Sequence, residues 1–165
     1  MNLSKFGSIG LIATLSVCCN FGFVEKTLAD NKSCDGISCN DKNPVKYKCV
    51  SDARIVSKLT KTVYRLQDSG QPRQIIVQKM YSKKCHANWT RAYIPDDTFL
   101  FIRERDLVKG TQPIHGMFKA DGTGYFWANG NMSNGYVVNQ ACVALVGLPL
   151  PWGGNTYERH CTGFK

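Results

Sequence analysis

The 165-residue chain reads as all-β, a small disulfide-stabilised sandwich or barrel with a Cys-rich N-terminal loop. Three observations predict this. Short runs rich in β-branched and aromatic residues recur about every 8–14 residues between Gly, Pro, Asn and Asp clusters. The eight cysteines leave an even set of six after an export-type leader. No stretch sustains a long helical period. Hydrophobic residues at 43% and charged residues at 20% exclude a mainly disordered chain, a collagen repeat and a long coiled coil. The length suits one domain.

The leader occupies residues 1–29. Lys5 supplies a positive start, Ile9 to Val17 a short apolar core, and Thr27-Leu28-Ala29 the small residues before a cut at Asp30. The apolar run is shorter than the roughly 20 residues of a membrane helix, and no later stretch is long enough to span a membrane. An alternative cut after Val17 would leave Cys18 as a lipidated anchor, although Val17 is a poor residue before such a cysteine. Removal of 1–29 takes away Lys5, Lys26 and Glu25 and lowers the net charge from +9 to +8. The expected product is a secreted single domain, 30–165.

Six cysteines remain: Cys34, Cys39, Cys49, Cys85, Cys142 and Cys161. In an oxidising compartment they read as disulfides, and the sequence alone leaves the pairing open. Proximity favours Cys142–Cys161, a loop of about 20 residues that contributes on the order of 3 kcal/mol. Cys49–Cys85 and Cys34–Cys39 are the expected companions. Zinc is the rival for the first four. Gaps of four, nine and 35 residues do not supply the two close ligand pairs of a structural zinc site.

Residues 30–49 are polar, Cys-rich loop. Candidate strands follow at Ala53–Ser57, Thr62–Leu66, Ile75–Tyr81, Trp89–Ile94, Phe99–Arg103, Tyr125–Ala128 and Tyr136–Val146, the last broken by Gly147 and Pro149. Turns are expected at Asp68–Pro72 and Pro95–Asp97, and a hairpin at Asp121-Gly122. A three-residue apolar step from Tyr47 to Val56 marks Val45–Ser57 as the best helix candidate, despite Pro44 and Cys49.

One set of residues carries a family resemblance. Ser33-Cys34-x-Gly36-x-x-Cys39-Asn40-x-Lys42-x-Pro44, then Cys49-x-x-Asp52-Ala53-Arg54, then Met80-Tyr81-Ser82-x-x-Cys85-x-x-Asn88-Trp89-x-Arg91 resemble the YjfA-like family of small secreted bacterial domains of unknown function. The likeness covers roughly residues 33–94. The stretch Asn134–Cys161 is similar to the tail of some members, with Cys142 and Cys161 matching a further Cys pair. The resemblance implies export and a Cys-stabilised, mainly β domain, and it implies no activity. The chain departs from the usual pattern in being more basic between Lys79 and Lys84.

Catalytic patterns are weak. Cys85-His86 are sequence neighbours, which point to opposite faces of a strand, and there is no Gly-x-Ser-x-Gly elbow. Paired carboxylates for a small secreted hydrolase could come from Asp96, Asp97, Glu104 and Asp106. His115 and His160 lack metal spacing. No phosphate-cradling Gly loop calls for a cofactor. The densest cationic group is Lys79, Lys83, Lys84 and Arg91, and Trp89, Arg91 and Tyr93 share a strand face. Such a set binds anions and stacks on rings, although Trp89 as core with Arg91 lying over it is the simpler reading. Tyr125 and Trp127 also share a face and could stack on a sugar, with core the favoured role. The expected function is non-catalytic binding of an anionic or glycan envelope component. Nucleic acid is a weaker expectation for an exported chain. N-terminal sequencing of the exported protein should begin at Asp30, and a lipid on Cys18 would overturn that reading.

Overall fold

Alternating apolar residues build two four-stranded antiparallel sheets, and the faces that carry them pack together. The computed structural model describes residues 33–165 apart from 66, 67, 107 and 111. The leader read over 1–29, its cut before Asp30 and the alternative anchor Cys18 lie outside the described residues. The strands are β1 (Arg54–Tyr64), β2 (Pro72–Ser82), β3 (Ala87–Pro95), β4 (Phe99–Glu104), β5 (Ile114–Lys119), β6 (Tyr125–Asn134), β7 (Asn139–Pro149) and β8 (Asn155–Cys161). The first sheet runs β1-β2-β3-β6 and the second β5-β4-β7-β8. This is a small disulfide-stabilised β sandwich.

The core between the sheets gathers Val63, Ile75, Val77, Ala92, Ile94, Leu100, Ile102, Ala141, Val143 and Leu145. Thr90 ties the layers: its Oγ1 donates to the Phe101 carbonyl at 2.6 Å, inside the buried zone. A second cluster lies on the opposite face of the first sheet. There Met80, Trp89 and Met132 pack under Cys34, Cys39, Cys49 and Cys85 of the N-terminal loop and the β2–β3 turn. The bonds are Cys34–Cys39, Cys49–Cys85 and Cys142–Cys161. All six sulfurs are therefore spent on cross-links.

Several expectations need correction. The stretch read as two strands, Ala53–Ser57 and Thr62–Leu66, is one strand from Arg54 to Tyr64, and Leu66 lies outside the described residues. Lys58 and Lys61, in the stretch between the two, are exposed on an edge strand, where charge blocks pairing with another chain. Val45–Ser57 is no α-helix. It is a turn followed by a short 3-10 segment, Cys49–Asp52, entered through Lys48 in the left-handed region at φ 57°. Asp121-Gly122 closes no hairpin, because β5 and β6 belong to different sheets and the turn carries the chain between them. The last long strand begins at Asn139 and passes through Gly147 to Pro149 with a register irregularity. Gly147 is needed there, since a Cβ would collide with the Thr156 side chain.

β5 and β8 were not anticipated. β5 is interrupted by Gly116 at φ 63°, pressed against the Asn131 backbone, so its alternation is hidden. β8 is polar and mostly exposed. Ile94→Ala should lower unfolding free energy by about 2–5 kcal/mol in denaturant titration, whereas Tyr64→Ala, on the exposed edge, should change it by less than about 0.5 kcal/mol.

Candidate functional site

Pairing across the first sheet sets out its solvent-side face in rows. Arg91 of β3 stands opposite Gln78 of β2 and Asn129 of β6. Tyr93 stands opposite Ile76 and Trp127, and Trp89 opposite Met80 and Met132. The N-terminal loop covers only the Trp89 row. In the other two rows Arg91, Tyr93, Trp127 and Asn129 reach the surface, whereas Gln78 is buried.

Trp89 is 1% exposed and belongs to the loop-side core. Its indole Nε1 donates to Asn129 Oδ1 at 3.1 Å. Arg91 does not lie over Trp89. Its guanidinium carbon is 4.7 Å from the ring centre of Trp127, on the neighbouring strand. Trp127 is 43% exposed and also meets Tyr93, at 5.7 Å between ring centres. Tyr93 in turn touches Tyr125 at 6.0 Å. The Tyr125–Trp127 pair, favoured as core, is thus a surface feature at Trp127. Tyr125 is half-buried, and its hydroxyl donates to Asp68 Oδ2 at 2.6 Å. Burial and the neighbouring Asp68 carboxylate push the Tyr125 hydroxyl up to about 12, so it stays a neutral donor.

Beside this platform runs a groove of about 340 Å³. Met80, Trp89, Arg91, Trp127 and Asn129 come from the sheet, and Val45, Val50 and Ala53 from the N-terminal loop. Val45 and Val50 are exposed, so the loop presents an apolar wall. Among the described residues no carboxylate pairs with Arg91.

The other predicted cations are dispersed. Lys83 and Lys84 occupy the β2–β3 turn and are exposed. Lys83 lines a separate depression with Asp52, Arg54, Tyr81 and His86. Asp52 accepts Ser82 Oγ at 2.6 Å and the Lys84 N–H at 2.7 Å. Burial works to raise its carboxyl, but these bonds hold it below the ordinary carboxylate value.

Lys79 is no surface cation. It is 2% exposed on the inner face of β2, where its Nζ donates to the main-chain oxygens of Asn139 at 3.0 Å and Lys165 at 2.6 Å. Its role is to join the start of β7 to the tail. Alternation could put Lys79 beside Ile75 and Val77 but could not show that the side facing them was the core.

The hydrolase candidates also resolve. His115 Nε2 is 3.4 Å from Glu104 Oε2, and Ser133 Oγ donates to Glu104 Oε1 at 2.6 Å. The carboxylate sits between the other two and Ser133 is fully buried, so the histidine is not placed to take the serine proton. Asp106 accepts the backbone N–H groups of Val108 and Lys109, both at 2.9 Å, and that of Lys109 foremost lowers its carboxyl, which suits a turn cap and not a general acid. Asp97 pairs with Lys119 at 2.8 Å, and the Cys85 sulfur is bonded to Cys49.

No protein-family model, no curated protein and no solved structure matches the chain.

Burial, and secondly the positive charge of Lys165, bring the Lys79 amine from 10.5 down to about 8. Between these values the folded chain holds fewer protons than the unfolded one. Stability should therefore rise from pH 8 to pH 10 and fall back as pH drops through 8. Thermal unfolding across this window checks it, with Lys79→Met expected to flatten the slope.

Proposed function

We propose that the chain is an exported, non-catalytic binding domain whose open first-sheet face takes an anionic or glycan component of the cell envelope. The observation that carries this reading is the half-exposed Trp127 held between Arg91 and Tyr93, with the groove alongside. An indole of this size left at the surface offers a flat apolar face to a sugar ring, and the guanidinium stacked on it offers a charge already fixed in direction. Three disulfides in a small β domain fit an oxidising compartment outside the cytoplasm. The resemblance to the YjfA-like family agrees with export and leaves the ligand open.

The contact of His115 with Glu104 speaks for the alternative, a small secreted hydrolase. It carries less weight, because the serine hydrogen bond goes to the acid and the six cysteines among the described residues are all in disulfides.

Retention of the purified protein on immobilised acidic polysaccharide tests the reading. Retention should fall at about 1 M salt, where the screening length is about 3 Å. Trp127→Ala should weaken it by about tenfold or more, a loss of roughly 1.4 kcal/mol. A Lys83→Ala/Lys84→Ala variant should be retained as well as the parent. Binding that follows the two lysines and ignores Trp127 would move the site to the β2–β3 turn.

A further inference from the structure

The hydrogen-bonding groups along one row of the open face have unequal commitments. Asn129 has its Oδ1 engaged by the Trp89 indole, which fixes the amide and leaves its NH2 group as the donor end, without an acceptor among the described residues. Arg91, next in the row, is stacked on Trp127 without a carboxylate partner among the described residues. Gln78, next again, is 7% exposed and does not line the groove, so its amide lies out of a ligand's reach. The row therefore offers the groove two neighbouring donor groups, one of them charged. Planar guanidinium matches a carboxylate with two parallel bonds. Asn129 can donate a further bond.

Charge count narrows the ligand. Lys79 is buried, and Lys83 and Lys84 sit at the turn, so the groove itself carries one cation, Arg91. One cation suits a single negative charge better than a dense polyanion or a phosphate monoester, which carries nearly two. The apolar wall of Val45, Val50 and Trp127 suits the unsubstituted face of a ring.

We propose that the unit recognised is an acidic sugar of the uronate type, its carboxylate on Arg91, its ring against Trp127 and one of its oxygens on the Asn129 amide. This rests on the binding reading above and specifies its ligand class.

Calorimetric titration of the oxidised protein would use oligomers of galacturonate and of a glucuronate–N-acetylglucosamine copolymer, each beside its carboxyl-reduced counterpart. At least one acidic oligomer should bind, with its reduced counterpart weaker by about tenfold or more. Arg91→Gln should produce the same loss for the acidic oligomer and abolish its advantage over the reduced one. The carboxyl-reduced comparison uses the unaltered protein, so it holds even if a variant folds poorly. Equal binding of the two forms, lost in Trp127→Ala, would overturn the carboxylate assignment and leave the glycan reading standing. Absence of binding by every oligomer would overturn both. Binding of a peptide carboxylate through Arg91, with no acidic oligomer bound, would overturn the sugar assignment.

Discussion

The Cys49–Cys85 bond fixes the N-terminal loop to the first sheet, and the candidate site depends on it. Residues 33–53 contain no strand and little regular structure, so their order has to come from cross-links and from the apolar cluster beneath them. The bond joins the loop to the β2–β3 turn, and the Cys34 sulfur packs within 4.8 Å of both of its sulfurs. The loop is thereby pressed over Met80, Trp89 and Met132. Two results follow. Trp89 becomes an interior residue with one polar atom satisfied by Asn129, and Val45 and Val50 become the wall of a groove that would otherwise be an open sheet. Loss of such a cross-link typically costs 2–5 kcal/mol, and here the groove would be lost with it.

The polar residues support a division between structure and recognition. Glu104 links Ser133 to His115, Asp52 closes the β2–β3 turn, Asp106 caps its own turn, and Asp97 pairs with Lys119. Each of these acids has a local structural partner. Arg91 differs, because its neighbour is an aromatic ring and no acid meets it among the described residues. A guanidinium in that state keeps its hydrogen-bonding edge available, and the stack limits the directions in which it can point. That asymmetry makes the first-sheet face, and not the His115–Glu104 contact, the better candidate for ligand chemistry.

Period-two alternation made β2, β3 and β4 legible, and the turn residues at Asp68–Pro72 and Pro95–Asp97 marked real reversals. The three disulfide pairs agree with those expected from proximity. Pairing across the sheet was not legible. Whether Arg91 rests on Trp89 or Trp127 depends on β6 lying beside β3, and these strands are separated in sequence by a visit to the other sheet. Lys79 illustrates the same gap: a lysine beside isoleucine and valine reads as amphipathic until the main-chain oxygens of Asn139 and Lys165 that receive its amine are in place. The glycine-interrupted β5 and the polar edge strand β8 were hidden for local reasons, one a backbone kink and the other exposure.

The three cross-links also set the route by which mechanical tension would cross the domain. A pull applied beyond Lys165 reaches Cys161 and passes straight to Cys142, so the hairpin between them bears no load. A pull from the loop side passes from Cys49 to Cys85 and spares β1 and β2. Force would thus be concentrated on the middle of the chain, from His86 to Ala141, which includes β3 and β6. Arg91 and Trp127 both lie in that unshielded segment, so tension would act on the strands that carry them while the cross-linked loops kept their length.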